Sequence, residues 1–166
     1  MSQFALLAKR RFSPLFATQF FGVFNDSFLR YALVLVVLLR AASLRGLSTQ
    51  GTMAVAAAAY VLPYFLVSAW AGQLADKLPK NRWIRRLKAF ELAVVAVATI
   101  GLLFDDYTVL LAALFAMSIQ SALFEPAKFG VLPDLLSDRE ITGGNALVLS
   151  GTFLAIFLGT IAAKTS

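Results

Sequence analysis

The chain has 166 residues, of which 60% are hydrophobic and 14% charged, with a mean hydropathy of +0.79. That balance leaves too little polar surface to coat a water-soluble globule, so an ordinary soluble enzyme domain is excluded. With no cysteine and no histidine, disulfides, thiolate metal sites, cysteine nucleophiles and Ser-His-Asp-type triads are excluded too.

The net charge is +6, and the basic residues sit between apolar runs. Membrane proteins carry charge in this way, so nucleic acid is not an expected partner. A helix needs about 20 mostly apolar residues to cross the hydrocarbon core. Five segments qualify, at about 15–39, 52–72, 87–104, 107–124 and 145–163. They are rich in Ala and Leu and lack period-2 alternation, which argues against strands. The expected fold is all-α and integral to the membrane.

The first span follows Lys9, Arg10 and Arg11. It is too long for a signal peptide, carries polar residues and has no small-residue cleavage site after it. Asp26 lies near its middle, where an ionisable group costs a few kcal/mol or more and usually faces a cavity or a partner. Arg30 follows one turn later. Two readings are compatible: an internal Asp26–Arg30 pair that fixes helix rotation, or a polar patch of Gln19, Asn25, Asp26 and Arg30 lining a central cavity.

The second span leads into a loop holding Lys77, Lys80, Arg82, Arg85, Arg86 and Lys88. Glu91, three residues after Lys88, is expected to form a local ion pair rather than a substrate contact. Gln120 in the fourth span is suited to bonding across helices. After it, Pro126 removes one helical hydrogen bond, and Pro133 with Gly130 discourages a long continuous helix. Lys128 is therefore expected on an irregular or kinked element. It either lines a cavity, where a compact point charge suits phosphate, or snorkels to lipid headgroups. The fifth span carries Gly151, Ala155, Gly159 and Ala163, a small residue every four positions. That makes a smooth face for close helix packing, or for a rocking interface.

Eleven Lys and Arg residues fall in the N-terminal segment, the second loop and the fourth loop (Lys128 and Arg139). The first loop has two, Arg40 and Arg45, and the third none. By the positive-inside rule the N-terminus is cytoplasmic. Lys164 then falls on the far side. An odd number of spans ending just after an apolar helix is expected to be a fragment of a longer protein.

The loop Gly72-Gln73-Leu74-Ala75-Asp76-Lys77-Leu78-Pro79-Lys80-Asn81-Arg82 resembles the loop signature of the major facilitator superfamily. It departs from it at Pro79, usually Gly, and at Asn81, usually basic. In that signature Gly72 would let two helices approach, Asp76 would pair with cations of a neighbouring helix, and Lys80 and Arg82 would hold the loop in the cytosol; these roles are structural and gating. More specifically, Gln19-Phe20, Phe24-Asn25-Asp26, Gly72-Gln73-Leu74-Ala75-Asp76, Pro126-Ala127-Lys128-Phe129-Gly130 and Gly144-Asn145-Ala146-Leu147 resemble the lysophospholipid transporter branch. That branch includes transporters fused to an acyltransferase and an acyl-carrier-protein synthetase. Ser27 and Glu125 depart from its pattern, which has Asn and Ser there.

The resemblance implies the N-terminal part of a six-helix bundle that pairs with a second, missing C-terminal half. It implies movement of lysophosphatidylethanolamine or lysophosphatidylglycerol between leaflets of the bacterial inner membrane, by alternating access and without a cofactor or metal. Asp26 would meet the headgroup and Lys128 its phosphate. Membrane lipids and the lysophospholipid are the implied partners, with a fused acyltransferase possible beyond this chain. The acyltransferase chemistry itself would need a histidine, which this chain lacks. The competing expectation is a drug or solute:proton antiporter with Asp26 as the proton carrier.

Overall fold

A computed structural model describes residues 3–39 and 46–165 of the chain; Arg40 and Arg45 lie outside the described residues. A short 3-10 helix (Gln3–Ala8) precedes five α-helices: α1 (Ser13–Leu39), α2 (Thr49–Lys77), α3 (Lys80–Leu103), α4 (Tyr107–Leu135) and α5 (Asp138–Thr165). There is no strand among the described residues. Each apolar run of the sequence falls within a helix, except that the third overshoots α3 by one residue. Among the described residues α2, α4 and α5 are long and apolar enough to cross a membrane by length and composition.

Local chemistry fixes the helix ends. Ser48 caps α2 by accepting from the Gly51 amide at 3.1 Å. Asp106 caps α4 by accepting from the Thr108 and Val109 amides at 2.9 and 3.1 Å, satisfying donors that the helix cannot. The tight α3–α4 turn puts Asp105 at φ 54°, a left-handed conformation that a short polar residue tolerates. At the start of α5 Glu140 reaches back to Ser137, its Oε2 accepting from the Ser137 amide at 3.1 Å and from the Ser137 hydroxyl at 2.9 Å, which is the carboxylate half of a capping box.

The helices outrun the apolar segments: α4 continues eleven residues past Phe124, and α5 starts seven before Asn145. The expected break at Pro126 and Pro133 does not occur, because both prolines lie inside α4. An interior proline costs about 3 kcal/mol. Most helical stability in a folded protein comes from tertiary packing, and packing carries the helix through both prolines. Its buried Ala127, Val131 and Leu132 hold the segment against its neighbours.

Packing pairs α1 with α5, α2 with α4, and α3 with α4. Along α1 and α5, contacts advance together, from Phe16 against Gly151 to Phe24 and Phe28 against Gly159, so the two run parallel. Contacts of α3 and α4 run in opposite order, from Lys80 with Asp134 to Glu91 with Gln120, as an antiparallel hairpin requires. Phe65, Trp70, Leu92, Phe153 and Phe157 are exposed, while Gln19, Glu91, Ser118, Gln120 and Lys128 are buried. A polar interior inside an apolar exterior is the pattern that lipid solvation selects.

Candidate binding cavity

All five helices contribute to one cavity of about 370 Å3. Its apolar wall comes from Val23, Val61, Phe65 and Ile156, and its polar wall carries Asp26, Arg30, Lys88, Glu91 and Glu125. The setting is concave and mostly apolar, with a few convergent polar groups, which is the usual form of a small-molecule site.

Of the four residues expected at the substrate, Asp26 and Arg30 line the cavity, whereas Asn25 and Lys128 do not. Asp26 and Arg30 do not form the internal ion pair. Asp26 Oδ2 accepts from the Ser121 hydroxyl, and its Oδ1 is buried without a hydrogen-bond partner. The Arg30 guanidinium instead lies over the Tyr60 ring, 4.6 Å from its centroid.

Lys128 is 2% exposed, which rules out snorkelling. Its Nζ donates to Glu125 Oε1 at 2.8 Å and Gln19 Oε1 at 3.3 Å, and it lies 4.8 Å from the Phe129 ring centroid. It stands just behind the wall that Gln19 and Glu125 present to the cavity. Gln19 Nε2 donates to the Val148 carbonyl at 3.1 Å, tying α1 to α5 as well as to α4.

Sequence reasoning missed Lys88, Tyr60 and Tyr64 as cavity residues. Lys88 reads as the last charge of a basic loop, yet it sits in α3, lines the cavity and pairs with Glu91 at 2.6 Å. Glu91 also accepts from Gln120 Nε2 at 2.8 Å, the expected bond across helices. The i, i+3 spacing of Lys88 and Glu91 gave their pairing but not its depth. The tyrosines gave no signal, because an aromatic residue in an apolar run is ordinary.

The loop residues divide. Lys80 bridges to α4, donating to Asp134 Oδ2 at 2.9 Å and the Gly130 carbonyl at 2.8 Å. Gly72 makes no close approach: a Cβ there would meet nothing within 4 Å. Asp76 and Arg82 are exposed, with no ion pair to a described residue. The α5 face is tightly packed. Ala155 is fully buried, Gly151 lies on Phe16, and a Cβ at Gly159 would come within 2.6 Å of the Phe24 carbonyl oxygen.

The N-terminal basic residues are partly engaged. Glu140 pairs with Lys9, and with Arg11 Nη2 at 2.7 Å. Glu140 precedes the apolar run 145–163, outside the expected span. The Lys9 ammonium and the Ser137 donors hold its carboxyl down to about 2.

A family model described as transmembrane secretion effector matches residues 2–159. The lysophospholipid transporter LplT of Photorhabdus laumondii is 28% identical over 93% of this chain. Those of Yersinia pestis and Yersinia pseudotuberculosis are 26% identical over 94%. The chain spans 36% of the length of each of these relatives. No solved structure matches it.

Proposed function

The chain belongs to the transmembrane secretion effector family, and on that premise we propose that it forms the N-terminal bundle of a lysophospholipid transporter of the bacterial inner membrane. The observation that carries this reading is the cavity, where a carboxylate and a guanidinium that form no ion pair with each other face a mostly apolar wall. A zwitterionic headgroup with one acyl chain needs that combination. Asp26 would receive the headgroup's cationic end, and the acyl chain would lie on the apolar wall. The names of the relatives favour the same substrate class. Five spans with a cytoplasmic N-terminus fit the placement of Lys and Arg.

Alternating access would rock this bundle against a second one, supplied by the part of the relatives that the chain does not cover. Residues 1–166 would then not transport alone. In proteoliposomes of the intact protein, lysophosphatidylethanolamine should cross between leaflets, and Asp26→Asn should slow it by about tenfold or more. Equal rates in protein-free liposomes would sink the proposal.

A solute:proton antiporter is the second reading, favoured by the Asp26 carboxylate, whose Oδ1 has no hydrogen-bond partner. It predicts uptake that depends steeply on a pH gradient and loses that dependence in Asp26→Asn.

A further inference from the structure

The cavity cations differ in what already holds them. Lys88 is held by Glu91 at 2.6 Å and lies 4.2 Å from the Phe124 ring centroid. Lys128 stands outside the lining and is held by Glu125 and Gln19. Arg30 makes no ion pair with a described residue and donates no hydrogen bond to one. Its contacts are aromatic: Cζ lies 4.6 Å from the Tyr60 centroid and 5.7 Å from that of Tyr31. A guanidinium held over ring faces, and not by acceptors, keeps its N–H donors available. Two of those donors match two oxygens of a phosphate at once, a planar fork that an ammonium lacks.

We infer that Arg30, seated on Tyr60, is the residue that reads the phosphate of an amphiphilic ligand, and that Lys128 does not touch it. The inference rests on the lysophospholipid reading for its ligand class and refines which cation makes the contact. Asp26 lies four residues earlier on α1, about 6 Å along the helix axis. That separation suits a phosphate and an ammonium joined by a two-carbon linker. The apolar wall lowers the local dielectric and strengthens both contacts relative to water. Tyr60 is a positioning residue: it holds the guanidinium in place without occupying its donors.

The test measures binding of dodecyl phosphate and dodecyl maltoside to the intact protein in nanodiscs, and takes the ratio of their affinities. The wild type should prefer the phosphate, and inorganic phosphate should not compete at equal concentration. Arg30→Gln should lower the ratio by about tenfold or more. Arg30→Lys, which keeps the charge and guards against misfolding, should recover part of it. Tyr60→Leu should lower the ratio and Tyr60→Phe should keep it. Lys128→Met should leave the ratio unchanged even where both affinities fall. An unchanged ratio in Arg30→Gln, a ratio lost instead in Lys128→Met, or equal competition by inorganic phosphate would overturn the inference. A parallel titration with lysophosphatidylethanolamine separates the two ideas. If that lipid does not bind while the Arg30-dependent ratio persists, the transport reading fails and the phosphate site stands.

Discussion

The Gln19 side-chain oxygen accepts from the Lys128 ammonium at 3.3 Å, and its amide nitrogen reaches the Val148 carbonyl at 3.1 Å. One buried amide thereby joins α1, α4 and α5 behind the cavity wall. It also makes Lys128 part of the framework, because a buried cation needs every partner it has.

Lys128→Ala should therefore impair transport in the intact protein by about tenfold or more, while Lys80→Ala, which removes a partly exposed pair, should change it less than about twofold. Transport assays in proteoliposomes compare them directly. The double variant Glu125→Gln with Lys128→Met tests whether Lys128 acts only by neutralising Glu125. Recovery of transport there would show that it does.

Glu91→Ala should destabilise the bundle by about 3–5 kcal/mol, since Lys88 would stay in the interior without its carboxylate. Replacing both with leucine should cost much less. Thermal unfolding in detergent reads the difference, and equal losses would mean that Lys88 finds water in the single variant.

Gly159→Val should loosen α1 from α5, because the obstructing atoms are the Phe24 carbonyl oxygen and the Phe28 nitrogen, which are backbone and cannot swing aside. Overpacking of this kind costs about 1–3 kcal/mol. Gly130→Ala meets nothing within 4 Å and should leave the unfolding midpoint unchanged or raise it slightly, since alanine favours helix.

Glu140 should make the N-terminal attachment sensitive to acid. Its folded-state value of about 2 lies below its ordinary 4.5, so its contribution is fully present above about pH 4.5 and is lost as pH falls toward 2. Hydrogen exchange at residues 4–8 should rise over that window in the wild type. In Glu140→Gln it should be high already at pH 7 and flat on acidification.

Apolar runs located all five helices, because long runs rich in Ala and Leu without period-2 alternation are helical. They misplaced the ends, because hydropathy marks only the apolar stretch while hydrogen bonding and caps such as Asp106 and Ser137 set the helix itself. Pro126 and Pro133 misled because the local rule leaves out tertiary packing, and the buried Ala127, Val131 and Leu132 hold the turns around them. In the cavity, Asp26, Arg30 and Gln120 were legible as polar residues in apolar surroundings. Lys88 was masked by the basic run before it, and the partner choices of Arg30 and Lys128 depend on which helices α1 and α4 meet, which no local pattern encodes.

The three acids Asp26, Glu91 and Glu125 face three bases, Arg30, Lys88 and Lys128, in and just behind the cavity wall, so the formal charges on this bundle's side of the site cancel. Moving one elementary charge through the membrane potential is worth about 2.3 kcal/mol per 100 mV. A carrier whose second bundle adds no net charge, reorienting empty or with a zwitterion aboard, does no electrical work and should run at the same rate in polarised and depolarised vesicles. A singly anionic headgroup would bring one uncompensated charge, and its movement alone should respond to voltage.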